Sequence, residues 1–176
     1  MEILLRPYQL SDQPALATMA NNPNIANNLK NNFPYPYTLE TASKYLLLAT
    51  QANPEKLLEF AIEVDGQFAG AISVTFNQDI YCYCCELGYW LGQPYWNKGI
   101  MKKSVKLMID HVFKNYNINI ITAKTFATNI SSQKVLLANN FKKLIILNKY
   151  AYKNNHFCDL IIFELSRELY YTNSNK

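Results

Sequence analysis

Apolar and polar residues alternate along the chain with two periods, one typical of strands and one typical of helices. Short apolar and β-branched runs predict strands at 2–6, 57–64, 67–76, 80–91, 118–125, 141–152 and 158–165. Apolar positions that recur every three or four residues predict helices at about 11–20, from 38 to before 54, from 99 to 113 and at 132–139. The resulting order, β-α-α-β-β-β-α-β-α-β-β, predicts an α/β domain with one mixed sheet.

The stretch between the first two helices, from Asn21 to Pro36, is rich in asparagine and proline. Phe33, Tyr35 and Tyr37 alternate there with prolines, a pattern that excludes a regular helix and predicts an ordered loop. Two interpretations are open. Either the loop presents these aromatic rings to a ligand, or the rings simply pack against the core.

The segment at 86–113 organises the rest of the chain. It contains a predicted buried strand, a loop, and an amphipathic helix whose apolar face comprises Met101, Val105, Met108 and Val112. Gly99 lies at the start of that helix, where unpaired N–H groups and a partial positive charge suit a phosphate. Lys98, Lys102 and Lys103 crowd the same turn and oppose the helix dipole by about 0.3–1 kcal/mol each. These lysines indicate either an anion site or a solvated basic face.

The length of 176 residues corresponds to one domain, predicted at 1–170 and followed by a polar tail at 171–176. The net charge of +4 is small and the lysines are scattered, so nucleic acid is not an expected partner. No run of eighteen apolar residues predicts a membrane span, and the N-terminus lacks the pattern of a secretory signal. These features predict a cytoplasmic protein that does not bind membranes.

Three of the four cysteines, Cys82, Cys84 and Cys85, lie in a tyrosine-rich run that is predicted to be a strand. A zinc site would need a second pair of cysteines or histidines at a suitable spacing, and that second pair is missing. We therefore expect no metal site and interpret the cysteines as buried or half-buried thiols in a reducing compartment.

Five segments, taken in order, resemble the GCN5-related N-acetyltransferase (GNAT) superfamily, and within it the RimJ/RimL branch that acetylates the N-termini of ribosomal proteins. They are PYPYTLETA, VDGQFAGAISV, ELGYWLGQPYWNKGIMKKSVKLMIDHVF, FATNISSQKVLLANNF and YAYKNNHFCDLIIFEL. The resemblance covers nearly the whole chain. It implies a single domain with a mixed, mostly antiparallel sheet of about seven strands, splayed at its central strand and flanked by about four helices.

The family's phosphate-binding pattern, Gln/Arg-x-x-Gly-x-Gly/Ala, maps onto the segment from Trp96 to Met101. Gly99 matches the central glycine. Asn97 stands where the branch usually has glycine, and asparagine is the next-best residue for a positive φ. Met101 replaces a small residue, which leaves open whether its side chain crowds the cofactor.

The resemblance implies direct transfer of an acetyl group from acetyl-CoA to a primary amine in a ternary complex. In the family, a backbone N–H of the splayed strand, here near Trp90 or Leu91, points at the thioester oxygen, and the N–H groups at the helix start bind the pyrophosphate. Asn129 resembles a residue that contacts the pantetheine arm, and it also suits the cap of the next helix. The implied cofactor-contacting residues are Trp90, Leu91, Trp96, Asn97, Lys98, Gly99, Ile100, Met101 and Asn129.

The attacking amine must lose a proton, and the cost depends on the kind of amine. At pH 7, deprotonation costs about 1 kcal/mol for an α-amino group and about 4–5 kcal/mol for a lysine. A weak base or a water relay therefore suffices for a protein N-terminus. Glu86 is the candidate catalytic base, because no other acid lies between Asp79 and Asp110 and burial would raise its pKa. The alternative is an exposed carboxylate at a strand end.

The departing thiolate needs a proton or a hydrogen bond. Many superfamily members use a tyrosine of the late helix, but Leu136 occupies that position in this chain. Ser132, three residues after Asn129, matches a serine of the RimJ/RimL branch and is the candidate proton donor. Its alternative role is that of an ordinary serine in the first turn of a helix.

The acceptor is expected to bind between the 21–37 loop and the last hairpin near Tyr152. Its predicted aromatic wall comprises Phe33, Tyr35, Tyr37 and Tyr89. Aromatic rings of this kind bind an ammonium group with roughly 0.5–2 kcal/mol. The preferred acceptor is a protein N-terminus. The alternatives are a small amine (a polyamine, an amino sugar or an antibiotic) and a non-catalytic acetyl-CoA-binding module, and a homodimer is consistent with the sequence.

Overall fold

The sheet lies at the centre of the fold, in a computed structural model that describes residues 1–174 of the chain. Seven strands are ordered β1-β2-β3-β4-β5-β7-β6. They are β1 (Ile3–Arg6), β2 (Leu57–Val64), β3 (Gln67–Phe76), β4 (Cys84–Leu91), β5 (Ile120–Phe126), β6 (Lys142–Lys153) and β7 (His156–Ser166). Only β4 and β5 run parallel, and the other neighbours are antiparallel. The predicted mixed, mostly antiparallel sheet is confirmed.

Helices cover both faces of this sheet. They are α1 (Gln13–Ala20), α2 (Pro23–Ala26), α3 (Leu39–Thr50), α4 (Ile100–Asn115), α5 (Ile130–Leu137) and α6 (Arg167–Ser174). Buried residues of α1 and α3, including Leu16 and Leu46, form one core with β2 and β3. Buried residues of α4 and α5 form a second core on the other side, and this core includes the predicted apolar face of α4. We call these two sides the α1/α3 face and the α4/α5 face.

Three element boundaries differ from the sequence-based prediction. The asparagine-rich stretch contains the one-turn helix α2, because Pro23 suits a first helical position and the side chain of Asn22 caps the turn. Strand β4 begins at Cys84 rather than at position 80, since Asp79–Tyr81 form a 3-10 turn. The predicted polar tail is helical in α6 as far as Ser174, and positions 175 and 176 lie outside the described residues.

The sheet opens between β4 and β5. The two strands pair only from Cys84 to Leu87 on β4, although β4 continues along β3 as far as Leu91 and β5 continues along β7 as far as Phe126. Each strand is therefore held by its outer neighbour while the inner pair separates from Gly88 onward. This split is the splay that the resemblance implied.

Gly70 on β3 packs against the backbone of β4 at its C-terminal end, where β4 separates from β5. A Cβ atom at this position would lie 2.4 Å from the carbonyl oxygen of Trp90 and 2.9 Å from the Cα atom of Leu91. Both are backbone atoms that cannot move aside without disturbing the strand, so only glycine fits here. The end of β4 is thus positioned by close backbone packing.

Candidate active site

A cavity of about 1470 Å³ follows the split in the sheet. Its lining includes residues of β4 and β5, the loop before α4, the start of α5 and the 21–37 loop. The cavity is therefore bounded on one side by the elements predicted to hold a cofactor and on the other by those predicted to hold an acceptor. Within the described part of the chain, no helix is long and apolar enough to cross a membrane.

The loop that opens α4 has two residues in the left-handed region of φ. Asn97 has φ 60° and Gly99, which caps the helix, has φ 74°. Asn97 therefore adopts the positive φ expected of it, and the turn forms without a glycine at that position. Trp96 anchors the loop, because its indole nitrogen donates a hydrogen bond of 2.7 Å to the carbonyl oxygen of Leu91. The result is a fixed turn that directs the first N–H groups of α4 outward, as a phosphate site requires.

The side chains around this turn are distributed in a way that suits an anion. Ile100 and Met101 are buried in the core of the α4/α5 face, and both also border the cavity. Lys98, Lys102 and Lys103 are exposed, and across residues 1–174 none of the three forms an ion pair with a carboxylate. A smaller cavity of about 530 Å³ beside Gly99 is lined in part by Lys102, Lys103 and Lys106. The positive charge at this helix start is therefore uncompensated.

The backbone of β4 presents N–H groups to the split at every second residue. The N–H of Gly92 bonds to the carbonyl of Ala69, and the carbonyl of Cys84 accepts from Asn77, so even-numbered positions of β4 face β3. Leu91 faces the split and Trp90 does not. Of the two predicted donors to a thioester oxygen, the register therefore leaves Leu91 in place and turns the N–H of Trp90 toward β3.

Tyr89 and Trp90 lie on opposite faces of the sheet, because successive side chains of a strand alternate. Trp90 packs against Phe33 and Phe68 on the α1/α3 face, with ring centroids 5.6 and 6.0 Å apart. The hydroxyl of Tyr89 lies on the other face, 2.8 Å from the hydroxyl of Ser132. The sequence analysis assigned Trp90 to the cofactor through its backbone N–H and Tyr89 to the aromatic wall of the acceptor side. The structure places the Trp90 ring on the α1/α3 face, with Phe33, and the Tyr89 ring on the α4/α5 face, with Ser132.

The start of α5 forms as the sequence indicates. The side-chain oxygen of Asn129 accepts a hydrogen bond of 3.2 Å from the N–H of Ser132, so Asn129 caps this helix. Ser132 also bonds to Tyr89 through its hydroxyl. Leu136, at the position of the family's tyrosine, is completely buried. Burial raises the pKa of Tyr89 above its ordinary value, so at neutral pH this hydroxyl is protonated and can donate.

Three of the four residues predicted to form the aromatic wall line the cavity, and Tyr35 does not. Phe33 lies between Tyr37 and Trp90, with ring centroids 5.1 and 5.6 Å away, and all three residues line the cavity. Tyr35 is 56% exposed and lies outside the lining. The loop therefore contributes two of its three rings to the cavity, and Trp90 supplies a third ring that the sequence analysis had assigned elsewhere.

The 21–37 loop is tied to the last hairpin. Lys153 is buried, and its ammonium group donates to the carbonyl oxygen of Leu29 and to the side chain of Asn31. Beside it, the amide of Asn154 donates to Asn27 over 3.0 Å. These contacts hold the loop over the acceptor side of the cavity, next to the hairpin where the acceptor was expected to bind.

The charge environment of Glu86 differs from the one expected. Its carboxylate contacts the ammonium of Lys124 at 2.6 Å and that of Lys30 at 3.5 Å. Burial alone would raise the pKa of Glu86, but the hydrogen bonds and positive charges of the two lysines outweigh it and hold the pKa below its ordinary value. The expected rise in pKa was therefore wrong, because the register that places Lys124 beside Glu86 is not visible in the sequence.

Glu59 is the site residue that the sequence analysis missed. It lines the cavity from β2, and the hydroxyl of Tyr45 donates a short hydrogen bond to it. Burial raises the pKa of Glu59, and the bond from Tyr45 offsets this only in part. In the sequence, Glu59 and Glu63 lie four residues apart in an otherwise apolar strand, so they look like the solvated side of an edge strand. Only the packing of α3 onto this face encloses Glu59.

A parallel pair of strands that separates beside a left-handed helix start, with basic residues around it, is the arrangement that the family resemblance predicted. The chain belongs to the acetyltransferase (GNAT) family, whose domain model matches residues 2–142. It is 34% identical over 85 residues to the uncharacterized N-acetyltransferase p20 of Bacillus licheniformis, a match that covers 48% of each chain. The matched part thus spans about half the length of that curated relative.

Two solved structures show how far the fold is shared. The ribosomal L7/L12 alpha-N-protein acetyltransferase RimL in complex with coenzyme A has a TM-score of 0.82 at 21% identity and covers 95% of each chain. The ribosomal-protein-S5-alanine acetyltransferase from Vibrio fischeri has a TM-score of 0.81 at 26% identity, covering 96% of this chain and 94% of that one. The predicted membership of the GNAT superfamily is confirmed, and the fold is shared with acetyltransferases of the Rim type.

Proposed function

We propose that the protein transfers the acetyl group of acetyl-CoA to a primary amine, and that the preferred acceptor is the N-terminal α-amino group of a protein. The observation that carries this proposal is the fixed turn from Trp96 to Gly99, which opens α4 beside the split in the sheet. Similarity to RimL and to the S5-alanine enzyme, both named for acetylation of ribosomal proteins, supports the choice of acceptor.

Backbone groups provide most of the proposed acetyl-CoA site. The N–H groups at the start of α4, from Asn97 to Met101, bind the pyrophosphate, and the exposed lysines around them add positive charge. The N–H of Leu91 points into the split and stabilises the negative charge that develops on the thioester oxygen. Asn129 holds the start of α5 beside the pantetheine arm. Acetyl-CoA binding thus depends little on side-chain identity outside these positions.

The leaving thiolate is proposed to receive its proton from Ser132. The hydroxyl of Tyr89 lies 2.8 Å from that of Ser132 and remains protonated at neutral pH because burial raises its pKa. Ser132 can therefore give its proton to sulfur while Tyr89 donates a hydrogen bond to it. On the acceptor side, Glu86 is the base that the sequence analysis favours, although two lysines stabilise its charged form.

The acceptor side of the cavity favours an amine that needs little help to lose its proton. Deprotonation of an α-amino group at pH 7 costs about 1 kcal/mol, compared with about 4–5 kcal/mol for a lysine. Of the described residues that line the cavity, only Glu59 and Glu86 are acidic. A polyamine site would be expected to present more carboxylates, so this composition favours a chain terminus.

Two further expectations stay predictions. Strand β6 forms one edge of the sheet and exposes Leu144, Ile145 and Ile146, so pairing of two copies along this edge is the form of homodimer that the fold favours. Light scattering of the protein and of Ile145→Lys tests it, and the variant should be monomeric. The cytoplasmic location predicted from the sequence is likewise proposed.

The experiment that tests the function measures thiol release from acetyl-CoA with a panel of N-terminal peptides and small amines. The same peptides with acetylated N-termini are the matched controls. Turnover with free N-termini that exceeds turnover with every small amine supports the proposal. Tight acetyl-CoA binding by calorimetry without any acceptor-dependent thiol release would instead identify a non-catalytic binding module.

A further inference from the structure

The two carboxylates that line the cavity have opposite surroundings. Glu86 contacts two lysines, whereas Glu59 has no cationic partner within the part of the chain that the structure describes. The protein supplies Glu59 with only one neutral hydrogen-bond donor, the hydroxyl of Tyr45. A carboxylate enclosed without a counter-charge is costly unless a cation reaches it from outside.

Glu59 retains an oxygen for such a cation. Tyr45 donates to one carboxylate oxygen, Oε1, and no hydrogen bond among residues 1–174 reaches the second. Because every fully buried side-chain nitrogen or oxygen of the described residues has a partner, the second oxygen of Glu59 must be open to the solvent-filled space. That space is the cavity, since Glu59 is part of its lining.

The sheet connects Glu59 to the split through two small residues. Glu59 is paired with Ser73 on β3, and Ser73 is paired with Gly88 on β4, so all three lie in one row on the α1/α3 face. Gly88 is the first residue of β4 beyond the last β4–β5 pair. The row spans two strand spacings, or about 10 Å. Neither Ser73 nor Gly88 carries a large side chain that would block the path along this row from the carboxylate to the apex of the split.

The rings around this row define what it accepts. Tyr37 and Tyr45 line the cavity beside Glu59, and Trp90 lies on the same face of the sheet. Such a surface binds an ammonium group attached to a small apolar body, with the charge on the carboxylate and the body against the rings.

We propose that Glu59, rather than Glu86, receives the ammonium group of the acceptor and takes its proton, directly or through one water molecule. The proposal rests on the acetyltransferase function proposed above and deepens it by assigning the acceptor subsite. The ammonium group transfers one proton to the Glu59 carboxylate. The neutral nitrogen then forms a bond to the thioester carbon, the carbon–sulfur bond breaks, and the second nitrogen proton ends on the coenzyme A sulfur through Ser132.

The test compares kcat/KM for the best peptide acceptor in the wild type and in Glu59→Gln, Glu86→Gln and Glu63→Gln. Glutamine keeps an acceptor for Tyr45, so the fold is retained, and Glu63 lies on the same strand but outside the cavity. We expect Glu59→Gln to lower kcat/KM about 100-fold with acetyl-CoA affinity unchanged. Glu86→Gln should have a smaller effect than Glu59→Gln, and Glu63→Gln no effect on acceptor kinetics.

A Glu59→Gln protein that binds acetyl-CoA and turns over within twofold of the wild type overturns this inference but not the proposed function. A larger loss in Glu86→Gln than in Glu59→Gln also overturns it, in favour of Glu86. A wild-type protein that acetylates no acceptor overturns both. The outcomes therefore separate failure of the subsite from failure of the function.

A second variant covers the case in which Glu59→Gln does not fold. Tyr45→Phe removes the hydrogen bond that favours the charged form of Glu59, so the pKa of Glu59 rises. The acid limb of the kcat/KM profile should then move to higher pH, because the base must be deprotonated. The other titratable groups that face Glu59 are Tyr37 and Tyr8, which are neutral across this range. An unmoved acid limb contradicts the proposal.

Discussion

The two halves of the cavity bind their proposed ligands by different means. On the α4/α5 face, a turn held by Trp96 and Gly99 presents backbone N–H groups, with exposed lysines around them. On the α1/α3 face, aromatic rings and the enclosed carboxylate of Glu59 line the space. The cofactor half thus depends on backbone conformation and the acceptor half on side-chain identity. A family can therefore keep one half while it changes the other.

The largest effect on the cofactor half is expected from Gly99→Ala. A side chain at φ 74° costs about 1–2 kcal/mol, so the turn of the free variant should relax to another conformation. Restoring the binding conformation then costs part of the binding free energy, and acetyl-CoA affinity should fall about tenfold in calorimetry. Gly66→Ala is the matched control, because Gly66 also has a positive φ and open space around it but lies in the β2–β3 turn. Equal losses of affinity in both variants would show that the effect is one of general stability.

The next effect concerns the contact between the strand and α5. Ser132→Ala and Tyr89→Phe each remove one partner of the 2.8 Å hydrogen bond, and each should lower kcat about fivefold, or about 1 kcal/mol. Because the two hydroxyls act as a unit, the double variant should be no slower than the slower single variant. Fully additive losses would mean that the hydroxyls do not cooperate.

The two tryptophans allow the two halves of the cavity to be perturbed separately, because each tryptophan lies in a different half. Trp96→Phe removes the indole bond to Leu91 and should weaken acetyl-CoA binding about threefold while leaving the acceptor KM unchanged. Trp90→Phe alters the ring next to Phe33 and should raise the acceptor KM by a similar factor, with acetyl-CoA affinity unchanged. If each variant changed both the acetyl-CoA affinity and the acceptor KM, the cavity would not be divided into a cofactor half and an acceptor half.

The smallest effect is expected from the exposed lysines. Lys98→Ala should weaken acetyl-CoA binding about twofold at low salt, and the difference should disappear at high salt because exposed charges are screened. Lys44→Ala on α3 is the matched control, since Lys44 is an exposed helix lysine far along the chain from Gly99. A loss that persists in high salt would indicate a contact other than charge.

The sequence predicts the cofactor half well because its signals are local. Positive φ is needed at two positions of one short turn and is met by Asn97 and Gly99, while the start of α5 is set by a cap three residues before Ser132. The split itself followed from the family resemblance. In each case the residues that determine the geometry are neighbours in the chain, so one sequence carries the information.

The acceptor half could not be predicted in this way, because strand register and helix packing decide it. Glu86 meets Lys124 only because β4 and β5 are parallel in one particular register, and this contact reverses the expected shift in its pKa. Glu59 looks like a solvated strand residue until α3 covers it. The sequence shows that Tyr89 and Trp90 must lie on opposite faces of the sheet. Which helices cover each face depends on the topology of the whole domain, so the contacts of the two rings could not be predicted.

Amide hydrogen exchange with and without acetyl-CoA tests the division of the cavity most directly. Acetyl-CoA should protect the amides of Leu91 and of positions 97–101, and should leave those of the 21–37 loop and of β2 around Glu59 unchanged. Protection of the loop and of β2, with positions 97–101 exchanging as fast as before, would contradict it.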